Sequence, residues 1–367
     1  MGIKKLNSLL QQLNLVIEYN TIEEVVKFLK NINNSDYIYV AIDTSLYLHK
    51  YIRVSNTNRE IDFVSLFKKQ IMKLLNNNII PIYVFDGMAD DIKIETTVKH
   101  RVDQKNNYLI KLSELHNIEL NDLSNNQIIE HQDKIKKLSS QTINISHVEI
   151  TKLRTFFDSC NIPYVISPTE ADIMCAKLVQ NNIATACLSE DMDIIIYGCK
   201  ILIKYYNKKY YIYQYDKILE KLNINSKQLC MFASLLGCDY SRSVNTKIKP
   251  TELLEICINN KFNLLNILKN TIINDIHRKY FNESVNTYNL SLSDIANNIV
   301  SDNKYYDEEL INKIFKYYSL SNELLVFYHD KIGYELINDS FVKNINFDNL
   351  NSSNNIFIHK TVLHLIK

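Results

Sequence analysis

Two short runs of consecutive apolar residues, YIYVAI at 37–42 and IIPIYVF at 79–85, each stop at an aspartate. Continuous hydrophobicity over so few positions predicts strands buried on both faces, as in a parallel sheet. Between them Phe63, Leu66, Phe67, Ile71, Leu74 and Leu75 recur at helical spacing within 61–75, so the three segments predict a strand–helix–strand unit. A second set follows: a helix over 147–159, then Pro163 and a strand YVI, a helix over 170–181, a strand ATACL and a strand KILIKYY. The Lys- and Tyr-rich text continuing from that last strand reads as a β-hairpin with packed tyrosines, Asn207 and Lys208 lying near its turn. The stretch 93–144 is polar, repetitive in Asn, Gln, Lys and Ile, and predicts exposed helices inserted between the two sets. After Tyr240 the chain turns helical, with ELLEICI and NLLNILKN as helices, and from 338 an Asn-rich tract precedes the apolar end NIFIHKTVLHLIK. The expected fold class is therefore α/β, with a mostly parallel central sheet flanked by helices.

Charge adds one constraint. Lys and Arg total 42 against 41 Asp and Glu, a formal net charge of +1, so any grip on a polyanion must be local. The seven cysteines form no CxxC pair, which argues against a zinc cluster or a disulfide framework and for a reducing, intracellular setting. No run approaches the ~20 apolar residues of a membrane span, and a chain without membrane attachment or cleaved signal is expected. Glycine is rare enough, at five residues, for its positions to inform: Gly87, Gly198 and Gly237 all lie beside a carboxylate cluster.

Those carboxylates are the candidate chemistry. Asp43 and Asp86 each follow a predicted parallel strand, which puts them at the carboxyl edge of the sheet, where open α/β folds bind ligands. Glu170 and Asp172 lie in SPTEADIMCAKL, with Ser167 or Thr169 expected to cap the helix that follows; only at a helix start can positions i and i+2 serve one site. Asp191 and Asp193, in LSEDMD, follow ATACL, and an extended backbone there would put both side chains on one side. Asp239 in LLGCDY completes a set of seven. Gathered together, such groups repel one another and a phosphodiester unless cations neutralise them. Oxygen-only ligands suit Mg²⁺, with Mn²⁺ as a substitute, and two such ions ~3.5–4 Å apart support in-line hydrolysis of a phosphodiester.

Taken together, MGIKKL at the start, VAIDTSLYLHKY, YVFDG, SPTEADIMCAKL, SEDMDIIIYG and LLGCDYS resemble the flap endonuclease/XPG superfamily, which includes exonuclease-1. The motifs occur in family order over residues 1 to about 260. The resemblance implies a nuclease domain over 1–300, made of an N-terminal region (1–115), a helical arch (93–144), an internal region (145–240) and a helix-turn-helix-like DNA-binding region (226–300), followed by an extension (301–367). It also implies a two-metal site using the seven carboxylates. In the arch, Lys93 falls where the family has a catalytic lysine; the matching arginine position is His100, with Arg101 displaced by one residue, a turn of about 100° on a helix. Gly2 and His49 are implied as DNA contacts, His49 standing where flap endonucleases stack a tyrosine and exonuclease-1 a histidine.

One departure follows Asp239. The family's glycine-rich turn, whose amides hold a potassium ion and a duplex phosphate, is replaced by SRSVNTKIKPTELLEI, with Lys247 and Lys249 in place of both glycines. A tight nest of amides needs glycine, so a K⁺ site is not expected, and the two lysines are expected to contact DNA phosphates through charge. The partner expected is flap, gapped or nicked duplex DNA; no QxxLxxFF sliding-clamp motif is present, and a monomer is expected. The depleted turn is similar to that of poxvirus-type relatives and, with the Asn-, Ile- and Lys-rich composition, implies an AT-rich eukaryote or a large DNA virus, hence a nucleus or a cytoplasmic virus factory. The activity implied is 5′ flap endonuclease or 5′–3′ exonuclease hydrolysis in replication, repair or recombination, with junction resolution left open. A silent scaffold of the same fold is disfavoured by the intact carboxylates, and a PIN-type ribonuclease by the long arch and LLGCDY.

Overall fold

The computed structural model describes residues 3, 5–33, 37–58, 60–87, 99–118, 124–143, 145–238, 248–264 and 266–267. Among them seven strands run in the order β1 (Val16–Tyr19), β2 (Ile38–Asp43), β3 (Ile79–Phe85), β4 (Tyr164–Ile166), β5 (Ala186–Leu188), β6 (Ile201–Tyr206) and β7 (Lys209–Gln214). The described residues fall into two units: 21–188, and the residues up to Asn20 with those from Ser189 onward.

In the first unit the two apolar runs become the central strands. β2 pairs with β3 in parallel, from Ile38 opposite Ile79 to Asp43 opposite Val84. β4 joins the other side of β3 and β5 the other side of β2, both parallel, giving the order β5-β2-β3-β4. Every residue of β3 is buried, as expected for a strand covered on both faces. Two helices, Thr44–Thr57 and Phe63–Leu75, connect β2 to β3, where the sequence pattern indicates only the second. The first carries Thr44, Tyr47, Leu48 and Ile52 inward, but polar residues between them blur its period.

An aromatic cluster fastens the helices to the sheet. The Tyr83 and Phe157 rings stack with centroids 4.6 Å apart, and Phe67 meets both edge-on at 5.8 and 5.9 Å. The buried Tyr83 hydroxyl donates to Gln70 Oε1 at 3.0 Å, so its polar end is satisfied. The polar insertion forms two helices, Lys99–His116 and Asn125–Gln141, that pack on each other, the second also touching Thr44–Thr57. Their outer faces expose Ile110 and Ile129.

The second unit is antiparallel, with strand order β1-β7-β6. Asn207 and Lys208 form the expected hairpin turn, both at positive φ (50° and 63°), the twist that a two-residue hairpin loop requires. The Tyr205 and Tyr210 rings pack at 4.6 Å. β1 has no counterpart in the sequence pattern: it is four residues long, partly exposed and interrupted by Glu18, which pairs with Lys209 across the sheet. Helices Tyr215–Leu222, Ser226–Leu236 and Pro250–Asn259 complete this unit, the last containing the expected ELLEICI. All seven cysteines are free thiols, and no described helix is long and apolar enough to cross a membrane.

The α/β class is as expected, with three antiparallel strands in addition to the four parallel ones. Because Phe157 meets Tyr83, Phe67, Phe85 and Tyr164 at once, Phe157→Ala is expected to cost about 3–5 kcal/mol of unfolding free energy in urea denaturation. A loss below about 1 kcal/mol would show that the cluster does not hold helix His147–Cys160 to the sheet.

Candidate functional site

Asp43 is the last residue of β2 and the N-cap of helix Thr44–Thr57; its Oδ1 accepts hydrogen bonds from the backbone N–H groups of Ser45 (3.0 Å) and Leu46 (3.4 Å). The carboxylate is only 8% exposed, so these donors replace water as its solvation. The Ser45 hydroxyl in turn donates to Asp86 Oδ2 at 2.5 Å. Asp86, just past β3, accepts from Ala171 N at 2.7 Å through its other oxygen. Ala171 opens helix Ala171–Gln180, with Glu170 at its N-cap and Asp172 in its first turn. Ser45 and the start of helix Ala171–Gln180 therefore link Asp43 and Asp86 to the backbone segment that carries Glu170 and Asp172.

This corrects the expected cap. Neither Ser167 nor Thr169 caps that helix: the Ser167 hydroxyl donates to Glu170 O (2.9 Å) and accepts from Thr169 N (3.3 Å), folding the preceding turn. The N-terminal amide is taken by Asp86 from another strand, a charge placed where the helix dipole favours it. Gly87 makes this approach possible. Its N–H donates to Thr169 O at 2.6 Å, and a Cβ on it would lie 2.1 Å from Ser167 O and 2.8 Å from Pro168 C.

Asp191 and Asp193 form a second local group, in the other unit. The expected extended backbone is absent: Asp193 already begins a short helix, Asp193–Ile196. The Ser189 side chain accepts from Asp191 N (3.1 Å) and Asp191 Oδ1 from Asp193 N (3.0 Å), a run of side-chain turns that aspartate and serine form readily. Asp193 is 4% exposed.

His49 is exposed on helix Thr44–Thr57, four residues after Ser45 and hence on the same helix face. Arg101 belongs to helix Lys99–His116, though its side chain lies outside the described set. Lys249 is exposed at the N-cap of helix Pro250–Asn259. Gly2, Lys93, Asp239 and Lys247 lie outside the described residues. Ser45 is the residue that sequence reasoning missed. Its signal was available: a serine two positions after a strand-ending aspartate that caps a helix.

Oxygen donors of this kind suit a hard divalent cation. Among the described residues no three His, Cys, Asp or Glu side chains form a ready cage.

Because Gly87 sets the distance between Asp86 and the turn carrying Glu170 and Asp172, Gly87→Ala must push Ser167–Pro168 away. The variant is expected to lose about 1–3 kcal/mol of stability and to impair the site, although no ligand atom is altered. An unchanged melting temperature with unchanged divalent-cation binding would show that this close approach is dispensable.

The XPG N-terminal domain model matches residues 1–107 and the XPG I-region model residues 161–239, together just over half of the chain. Flap endonuclease 1 of Drosophila persimilis is 29% identical over 247 residues, which cover 63% of this chain and 60% of that protein. Flap endonuclease 1 of Methanococcus aeolicus is 25% identical over 312 residues, covering 77% and 90%. The chain thus spans about 60% of the length of the fly relative it matches. The catalytic core of Rad2 in complex with DNA substrate superposes with a TM-score of 0.57 at 18% identity, covering 93% of this chain and 99% of that one, a likeness of fold. With both family regions matched and the α/β core shared, the chain belongs to the flap endonuclease/XPG superfamily.

Proposed function

We propose that this protein is a divalent-metal-dependent, structure-specific nuclease that hydrolyses DNA phosphodiesters at 5′ flaps, gaps or ends. The observation that supports this most is the joining of Asp43, Asp86 and the Glu170–Asp172 helix start at the carboxyl ends of β2 and β3. A structural role for so many acids at one sheet edge is uneconomical, because each must be kept from repelling the next. Flap endonucleases among the relatives and DNA-bound Rad2 among the similar folds favour DNA as the substrate.

In this reading Asp43, Asp86, Glu170, Asp172, Asp191, Asp193 and Asp239 supply ligands to Mg²⁺, directly or through its water. Mg²⁺ held there would supply an activated water and positive charge for a scissile phosphate. The chain's own residues do the rest. Ser45 keeps Asp86 oriented, and the amides of Ser45, Leu46 and Ala171 hold the two strand-end carboxylates in place. His49, exposed one helical turn beyond Ser45, stacks on a base beside the cut in this reading. Lys93 supplies positive charge from the arch, and Lys247 and Lys249 grip duplex phosphates in place of a potassium site.

The test is cleavage of 5′-labelled flap, nicked, blunt and four-way substrates in Mg²⁺ by the full chain. Cutting of flaps or 5′ ends is expected, and Asp86→Ala or Asp191→Ala should lower the rate by at least about a hundredfold, the scale of a few kcal/mol of transition-state stabilisation. Near-parental turnover by either variant would reject its role as a metal ligand, and cleavage of single-stranded RNA alone would move the protein to a ribonuclease function.

Lys93→Ala is expected to reduce single-turnover cleavage by about a hundredfold while changing the Kd for flap DNA little, because the charge acts on the transition state. A parallel loss of binding and rate would make Lys93 a simple DNA contact.

A further inference from the structure

The turn carrying Asp191 and Asp193 is held by three hydrogen bonds in series. Ser189, the first residue past β5, donates its N–H to Ile203 O on β6 at 3.1 Å. Its side-chain oxygen accepts from Asp191 N at 3.1 Å, and Asp191 Oδ1 accepts from Asp193 N at 3.0 Å. The last two bonds are of a kind that serine and aspartate form in any exposed loop. The first is not, because it fixes the start of the turn on a strand. Ser189 is also fully buried, so water does not compete for its hydroxyl, whereas Asp191 is half-buried and borders solvent. Asp191 thus has Oδ1 committed to its own turn and Oδ2 left for a ligand, with a buried serine holding its backbone.

We propose that Ser189 is a positioning residue of the metal site: anchored on β6, its hydroxyl sets the direction of Asp191 and, through Asp191, the start of the helix that carries Asp193. The inference rests on the metal-ligand reading above. Two carboxylates two residues apart repel each other, and a turn free to open lets them part. Ser189 keeps the turn closed while no ion offsets that repulsion. Ordering the two acids in advance removes a cost that the binding of an ion would otherwise carry.

The experiment is a Mn²⁺ titration of the full chain without DNA, read by loss of the free-ion electron paramagnetic resonance signal. Ser189→Ala removes the acceptor of Asp191 N and is expected to bind Mn²⁺ about tenfold more weakly, the scale of one lost hydrogen bond, with Ser189→Thr near the parental value. Ser189→Cys, close to serine in size but a weaker acceptor, is expected to fall between, and it carries the test should the alanine variant fail to fold. Tyr213→Phe is the control for a merely structural role: it removes another hydrogen bond of the same unit, to Asn7, and should lower the melting temperature while leaving Mn²⁺ binding parental. Parental binding by the alanine and cysteine variants overturns the inference, and so does equal weakening in Tyr213→Phe. Asp191→Asn separates the two claims. Weakened binding by this variant with parental binding in Ser189→Ala rejects only the positioning role, whereas unchanged binding in Asp191→Asn rejects the ligand role itself.

Discussion

The hydrogen bond from Ala171 N to Asp86 joins a strand end to a helix start that lies 85 residues away in sequence. Without it, Asp86 would be held by the Ser45 hydroxyl alone and would not be joined to that helix. With it, the carboxylate ends the exposed dipole of helix Ala171–Gln180, and the acids on either side of Ala171 are brought to the same edge. Asp43 repeats the device on helix Thr44–Thr57, and Ser45 joins the two by donating its N–H to one aspartate and its hydroxyl to the other. Two helix N-termini thus hold two strand-end charges, and the parallel register of β2 with β3 sets their spacing.

Much of the scaffold serves this arrangement. Parallel strands put all their carboxyl ends on one edge, and the Phe67–Tyr83–Phe157 cluster fixes β3 between its helices. Gly87 then lets the chain leaving β3 pass against Ser167 and Pro168, where any side chain would intrude. In the other unit, the 189–193 turn needs no long-range partner to hold its acids: serine and aspartate side chains bond the next amides locally. The two groups of carboxylates are therefore stabilised differently, one by tertiary helix capping and one by local turns backed by β6.

The strands at 38–43 and 79–85 were legible because burial on both faces leaves an uninterrupted apolar run of strand length, rich in β-branched and aromatic residues. The helix at 44–57 and β1 were not, since the first mixes polar residues into its buried stripe and the second depends on pairing with a strand far away in sequence. Asp43 and Asp86 could be placed at a strand edge from sequence, but not their donors. A cap supplied by residue 86 to residue 171 leaves no local trace, so Ser167 and Thr169 looked like the capping residues. At 191–193 the competing principle was turn chemistry: aspartate bonding its own backbone two residues on prevailed over extension of the strand. Ser45 stands in the sequence as a serine two positions after an aspartate, less conspicuous than the acids around it.

If the strand-end carboxylates held by these helix N-termini bind the ion that drives hydrolysis, the ion itself can report its position. Replacing Mg²⁺ with Fe²⁺ in the presence of ascorbate and peroxide generates hydroxyl radicals at the ion, and these cut the nearest backbone. Mapping the protein fragments by mass spectrometry locates the ion without DNA and without mutation. Cuts are expected beside Asp43–Ser45, Asp86–Gly87 and Thr169–Asp172, all suppressed by excess Mg²⁺. Cuts that avoid these three segments, or that persist undiminished in excess Mg²⁺, would contradict a metal site at this sheet edge.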